Sequence, residues 1–257
     1  MKIILSPAKK MNVDTDSFLP KALPVFLMEA EEIKKTLQAM SPEALQKLWK
    51  CNDAIAKVNV ARLENMDLTC HLTPAIFSYE GIAYRYMSPA VFTQRELDYV
   101  QQHLRILSAF YGVLRPFDGV TPYRLEMQAK LKLCEAKDLY EYWGKKIAEN
   151  IFAETDTVLN LASKEYSLCV SRFAPEGSRF ITCIFGEEKE GKIMEKGTLC
   201  KMARGEAVRY LAENGVTEAE GIRSFDRLGF RYDASRSDES TYVFVKEGKN
   251  HEDPLLW

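Results

Sequence analysis

The stretch FYGVLRPFDGVTPYRLEM, residues 110–127, constrains this chain more tightly than any other. Gly112 and Pro116 stop a helix that reaches it. Asp118-Gly119 is a turn dipeptide, and Pro122 pushes Thr121 out of the helical region. The backbone here is set by local chemistry, so the polar side chains it carries are held in place. They are Arg115, Asp118, Tyr123, Arg124 and Glu126. A planar guanidinium suits a phosphate or carboxylate ligand, and equally suits bracing a loop against its own Asp118 or Glu126. The residues alone leave both open.

The flanking pattern mixes strands and helices. KIILSP reads as a buried strand ended by Ser6-Pro7, and residues 11–24 as loop. A helical face follows at residues 26, 27, 33 and 37. Ser41 caps a second helix, with Pro42 at its first position and Leu45, Leu48 and Trp49 as its stripe. After the break at Cys51-Asn52-Asp53, Ile55, Val58 and Ala61 predict the inner face of a third. Residues 73–87 are aromatic-rich around Gly81 and read as extended or irregular. Thr93 and Glu96 form a capping box for a long helix over 93–114, with Leu97, Val100, Leu104 and Leu107 inward. A helix is expected from about Asp138, then a strand in DTVLNLAS. A strand pair follows over SRFITCIFGEE and EGKIMEKGT, then a helix ended by Asn214-Gly215. GFRYD and TYVFVKE are late strands. Strict alternation is absent, so one mixed α+β domain over residues 1–257 is expected rather than a doubly wound sheet.

Composition excludes several classes. The chain has 257 residues, 46% hydrophobic and 28% charged, with a net charge of −2, so no global basic field marks a nucleic-acid binder. Residues 191–211 are nonetheless net +3 and residues 213–257 net −4, which predicts a local basic surface. The six cysteines lack metal or redox spacing and read as reduced core thiols. The N-terminal apolar run is too short for a signal peptide's core, so a cytoplasmic protein without a membrane segment is expected. His71, His103 and His251 have no partners at ligand spacing, so neither a metal site nor a cofactor is expected.

Polar groups recur where elements end. Ser6, Lys9 and Lys10 follow the first strand; Asn160, Ser163, Lys164 and Glu165 follow a later one. Lys201, Arg204 and Gly205 share one side of a helix, where glycine allows either tight packing or ligand approach. Ligands in open sheets bind at strand ends. Convergence of these segments with the 110–127 cluster and with Tyr140 and Trp143, on the helix after Asp138, would form a basic, aromatic-walled cleft. Glu126 with Asp138, or with Glu165, could serve acid–base chemistry there. Residues 41–65 are a helical hairpin carrying Lys47, Lys50, Lys57 and Arg62; its turn lacks the glycines of a helix-hairpin-helix, and Asp53 opposes a phosphate.

LSPAKK, QQHLRILSAFYGVLRPFDGVTPYRLEM, KDLYEYWG, NLASKEY and CKMARGEAVRYL together resemble the YaaA family of bacterial peroxide-stress proteins, from Met1 to about Lys246. The resemblance implies a single α+β domain of unusual topology, a positively charged cleft and a helix-hairpin-helix-like element at 41–65. It also implies protection from hydrogen peroxide, limitation of free iron and binding of double-stranded DNA. Carried over by position, the cleft residues are Lys9, Arg115, Tyr123, Arg124, Glu126, Asn160, Ser163, Lys201 and Arg204. Two function classes stand side by side: a sequence-tolerant DNA binder, and an enzyme acting on a nucleotide or nucleobase with Glu126 as acid or base. A purely structural or regulatory partner protein is the third.

Overall fold

Ile3, Ile4 and Leu5 follow one another without polar interruption, and the strand they form is buried along its whole length. A computed structural model describes residues 1–246. Its elements are β1 (Lys2–Leu5), β2 (Lys10–Met11), α1 (Leu27–Gln38), α2 (Pro42–Trp49), α3 (Asp53–Glu64), β3 (Thr73–Pro74), α4 (Ala75–Ser78), β4 (Tyr79–Glu80) and α5 (Ile82–Met87). Then come α6 (Gln94–His103), β5 (Leu104–Ser108), β6 (Gly112–Leu114), β7 (Gly119–Val120), α7 (Leu139–Trp143), α8 (Lys146–Phe152), β8 (Thr157–Asn160) and α9 (Lys164–Ser171). The chain continues with β9 (Arg179–Lys189), β10 (Lys192–Met194), α10 (Gly197–Glu213), β11 (Phe230–Tyr232) and β12 (Thr241–Lys246).

The result is an α+β domain around an eight-stranded mixed sheet, in the order β11-β12-β9-β8-β1-β5-β6, with β10 beside β9. The five inner strands run parallel; β6, β10 and β11 are antiparallel additions. Parallel strands need both faces covered, which is why β1 and β5 are buried at every position. No helix among the described residues is long and apolar enough to cross a membrane.

The capping chemistry forms as the sequence dictates. Ser41 Oγ accepts from Ala44 N at 3.3 Å, and Thr93 with Glu96 closes a full capping box. Gly215, at φ +59, follows the end of α10. Several expectations are overturned. The helix that begins at Gln94 ends at His103, and residues 104–108 and 112–114 are strands. Leu104 and Leu107 keep helical spacing, but all five residues of β5 are buried, as between two sheet faces rather than on one stripe. Residues 73–87 are largely short helices. Ile55 and Val58 on α3 face solvent at 39% and 52% exposure; Ala56 and Leu63 make the buried stripe instead. Gly144 divides the helix expected from Asp138 into α7 and α8. Of the cysteines, Cys169, Cys183 and Cys200 are buried, whereas Cys70 and Cys134 are exposed and Cys51 is half-buried. Burial pushes the Cys169 thiol up to about 12 and the Cys200 thiol up to about 11. His251 and the end of the last expected strand lie outside the described residues.

Gly205 explains how α10 is held. A Cβ at this position would sit 1.9 Å from the Ala83 carbonyl oxygen on α5, so the two helices touch backbone to backbone. Tight packing is therefore the reason for this glycine. Gly205→Ala is expected to destabilise the fold by about 3 kcal/mol or more, read from urea unfolding, because neither backbone can yield locally.

Candidate functional site

Strand β1 has β8 on one side and β5 on the other, so the chain leaves it in one direction and returns in the other. A crevice opens beyond the carboxyl ends of strands at such a point. Here it is a cavity of about 400 Å³, within the range that holds nucleotide- or cofactor-sized ligands. Its floor is Leu5 to Lys10 after β1 and Leu161 with Ser163 after β8. One wall is Glu80 to Tyr84, another Tyr123 to Glu126, and α10 contributes Lys201 and Arg204.

Small polar groups fix the floor. Ser6 Oγ accepts from Ser163 N at 2.8 Å and lies 3.2 Å from Ser163 Oγ. Tyr84 Oη donates to the Ser6 carbonyl at 3.1 Å. Five cations line the cavity: Lys9, Lys10, Arg124, Lys201 and Arg204; three carboxylates face them, Glu80, Glu126 and Glu165. Lys9 Nζ pairs with Glu126 at 2.6 Å and Lys10 Nζ with Glu80 at 2.8 Å. Arg204 reaches Glu195 at 3.4 Å, while among the described residues neither Arg124 nor Lys201 forms an ion pair. The Nε atoms of Arg124 and Arg204 are buried without a hydrogen-bond partner. A buried donor left unmade is costly unless a ligand or water meets it. Burial raises the Glu165 carboxyl above its ordinary value, opposed by the Gln128 N–H that it accepts at 3.2 Å and reinforced by the charge of Glu126.

Of the residues expected at a cleft, Lys9, Tyr123, Arg124, Glu126, Ser163, Lys201 and Arg204 line this cavity together. Asn160 does not; it is 3% exposed, accepting from Ala162 N at 2.9 Å and donating to Thr182 Oγ1 at 3.3 Å. Arg115 lies elsewhere too. Strand β6 runs back against β5, so Arg115 emerges at the amino ends of the parallel strands and reaches Glu154 at 3.4 Å. Trp143, expected to stack a base, is fully buried, its indole N–H donating to Ala109 O at 3.0 Å. Asp138 caps α7 by accepting from Glu141 N at 2.9 Å and does not line the cavity, which leaves Glu165 as the carboxylate across from Glu126. Nothing in the sequence marks Glu80–Tyr84 as a wall beyond its glycine: a Cβ at Gly81 would sit 2.9 Å from the Ala8 Cβ, so this segment closes directly on the loop after β1.

The helical hairpin is a separate surface. Lys50 takes the left-handed conformation at φ 47 and Asn52 Oδ1 caps α3 at Ile55 N, 3.0 Å away. Lys47, Lys50 and Lys57 are exposed and Arg62 is half-buried. The groove between α2 and α3 is lined by Glu43, Asp53 and Glu64 against Lys57. No three His, Cys, Asp or Glu side chains among the described residues are grouped to hold a metal ion.

A single α+β domain with a mixed sheet, carrying at its parallel strand ends a cavity lined by five cations, three carboxylates and tyrosines, is the class of protein that this fold defines. The chain belongs to the peroxide stress protein YaaA family, whose family model matches residues 1–236. It is similar to the UPF0246 protein of Agathobacter rectalis, 52% identical over 247 residues, which span 96% of this chain and 99% of that protein. It is also similar to a UPF0246 protein of Desulfitobacterium hafniense, 50% identical over 246 residues spanning 96% of this chain and 98% of the relative. The UPF0246 protein of Pediococcus pentosaceus is 49% identical over the same shares.

The opposite end of the sheet holds a bracing cluster. Burial pushes the Glu154 carboxyl up, but hydrogen bonds from Lys2 and Arg105 outweigh it and hold the group down at about 2. Burial instead dominates at Asp118, raising it to about 6 although it accepts from Arg115 N at 2.8 Å. A raised carboxyl contributes stability in acid that is lost as pH rises from about 4 through about 6. Asp118→Asn keeps the acceptor oxygen and removes that loss. It is expected to match the wild type below pH 4 and to exceed it by about 1–2 kcal/mol at pH 7, read from denaturant titrations. A less stable variant at pH 7 would mean that Arg105 and Arg115 need the charge.

Proposed function

We propose that this peroxide-stress protein binds double-stranded DNA and thereby limits oxidative, iron-dependent damage to it. The observation that carries this reading is the cationic side of the cleft. Arg124 and Lys201 have no carboxylate partner among the described residues, and Arg204 keeps an unmet buried donor. Cations held by the fold yet unspent within it are suited to phosphate. The exposed Lys47, Lys50 and Lys57 give the hairpin a second set of phosphate contacts. Neutralising phosphates releases condensed cations from the duplex. Ferrous iron held in that cation layer would be expelled with the rest, which links DNA binding to peroxide protection without a metal site on the protein.

A second reading is favoured by a different observation. Glu126, held against Lys9, and Glu165, raised by burial, line the same cavity. Phosphate binding alone does not call for two carboxylates. An enzyme acting on a nucleotide or nucleobase would use such a pair as acid and base.

For mixed-sequence duplex, affinity is expected to fall linearly on a log–log salt plot. Arg124→Ala, Lys201→Ala and Lys50→Ala should each lower the slope by about 0.9. Affinity that ignores salt would overturn the DNA reading. Glu126→Gln is expected to leave that slope unchanged while abolishing any turnover of nucleotides, followed by chromatography of the products.

A further inference from the structure

Behind the cleft wall, three hydroxyl groups form a chain whose proton directions can be worked out. Ser108 Oγ accepts from Phe110 N at 3.1 Å and from Tyr111 N at 2.9 Å. Both of its lone pairs are then in use, so its one proton goes to Tyr123 Oη, 2.7 Å away. Tyr123 Oη also lies 2.8 Å from Tyr79 Oη. If Tyr123 donated to Tyr79, the Tyr79 proton would be left over on a side chain that is 3% exposed and does not line the cavity. If Tyr79 donates to Tyr123, the Tyr123 oxygen accepts twice and its own proton has no acceptor among the described residues, on a side chain that lines the cavity. Only the second arrangement leaves the spare donor on a cavity-lining residue, where a ligand or water can meet it, so the second prevails. Tyr84, the neighbouring phenol on the wall, has already committed its proton to the Ser6 carbonyl.

We propose that Tyr123 Oη is a hydrogen-bond donor built for a ligand, and that the ligand is a nucleoside monophosphate unit whose base presents an acceptor to Tyr123 while its phosphate meets Arg124, Lys201 and Arg204. This rests on the reading of the cleft as a phosphate site. Ile82, Tyr84, Leu125 and Leu161 supply the apolar lining a flat base requires. Accepting two hydrogen bonds polarises the Tyr123 hydroxyl and strengthens its own donation. Burial pushes Tyr123 up to about 12, so at neutral pH it donates and does not carry charge. The same unit can arrive as a free mononucleotide or as an unpaired nucleotide of a DNA strand.

The test is calorimetric titration of wild type, Tyr123→Phe and Arg204→Ala with the four common nucleoside 5′-monophosphates and with ribose 5-phosphate, which lacks a base. At least one mononucleotide is expected to bind wild type about tenfold more tightly than ribose 5-phosphate. Tyr123→Phe should lose about five- to tenfold of that affinity, the worth of one hydrogen bond, and bind ribose 5-phosphate as wild type does. The unchanged sugar phosphate controls for folding. Arg204→Ala should weaken both ligands. Mononucleotide affinity unchanged in Tyr123→Phe, or no mononucleotide tighter than ribose 5-phosphate, overturns the proposal. Paired duplex is titrated alongside. Failure with mononucleotides while Arg124→Ala still lowers the duplex salt slope removes this inference alone; nucleotide binding without duplex binding removes the DNA reading alone. A duplex with one unpaired nucleotide that outbinds the paired one, and is displaced by the mononucleotide, assigns the unit to DNA. Equal binding of the two duplexes assigns it to the free nucleotide.

Discussion

Strands buried on both faces must end in groups that satisfy the backbone of the turn that follows, and the centre of this molecule depends on how that is done. β1, β5 and β8 lie side by side and run parallel. Each is closed by a small polar side chain that accepts backbone N–H groups: Ser6 from Ser163, Ser108 from Phe110 and Tyr111, Asn160 from Ala162. These side chains do for the turn backbone what water would do at a surface. The cavity opens above the closure that joins β1 to β8, where Ser6 holds Ser163.

That arrangement divides the polar stretch at residues 110–127 between two ends of the sheet. Arg115 and Asp118 brace the amino ends of the strands, beside Arg105 and Glu154. Tyr123, Arg124 and Glu126 reach the carboxyl ends and line the cavity. One short segment thus holds part of a structural ion cluster and one wall of the cavity. Its turn residues, Pro116, Asp118-Gly119 and Pro122, carry the chain from one to the other.

Much of this was legible in the sequence, because the signals were local. Ser41-Pro42, the Thr93–Glu96 box and Asn214-Gly215 mark helix ends by hydrogen-bonding chemistry that neighbours cannot override. Lys9, Ser163, Lys201 and Arg204 were visible as polar groups beside strand ends or a helix glycine. What was not legible depends on partners distant in sequence. Leu104 and Leu107 continue the spacing of α6, and only pairing with β1 makes them a strand. Arg115 precedes Arg124 by nine residues in the same stretch but emerges at the other end of the sheet, because β6 runs antiparallel to β5. Trp143 has the composition of a stacking platform, yet the core claims both its ring and its N–H.

The contact of Gly205 with the Ala83 carbonyl has a consequence for recognition. Lys201 and Arg204 stand on α10, while Glu80 to Tyr84 lead into α5; the absent side chain at residue 205 welds these two walls into one block. The backbone spacing between the cation-bearing helix and the phenol-bearing wall is thereby a fixed gauge rather than an adjustable jaw, and the cavity cannot widen there without parting residue 205 from the Ala83 carbonyl.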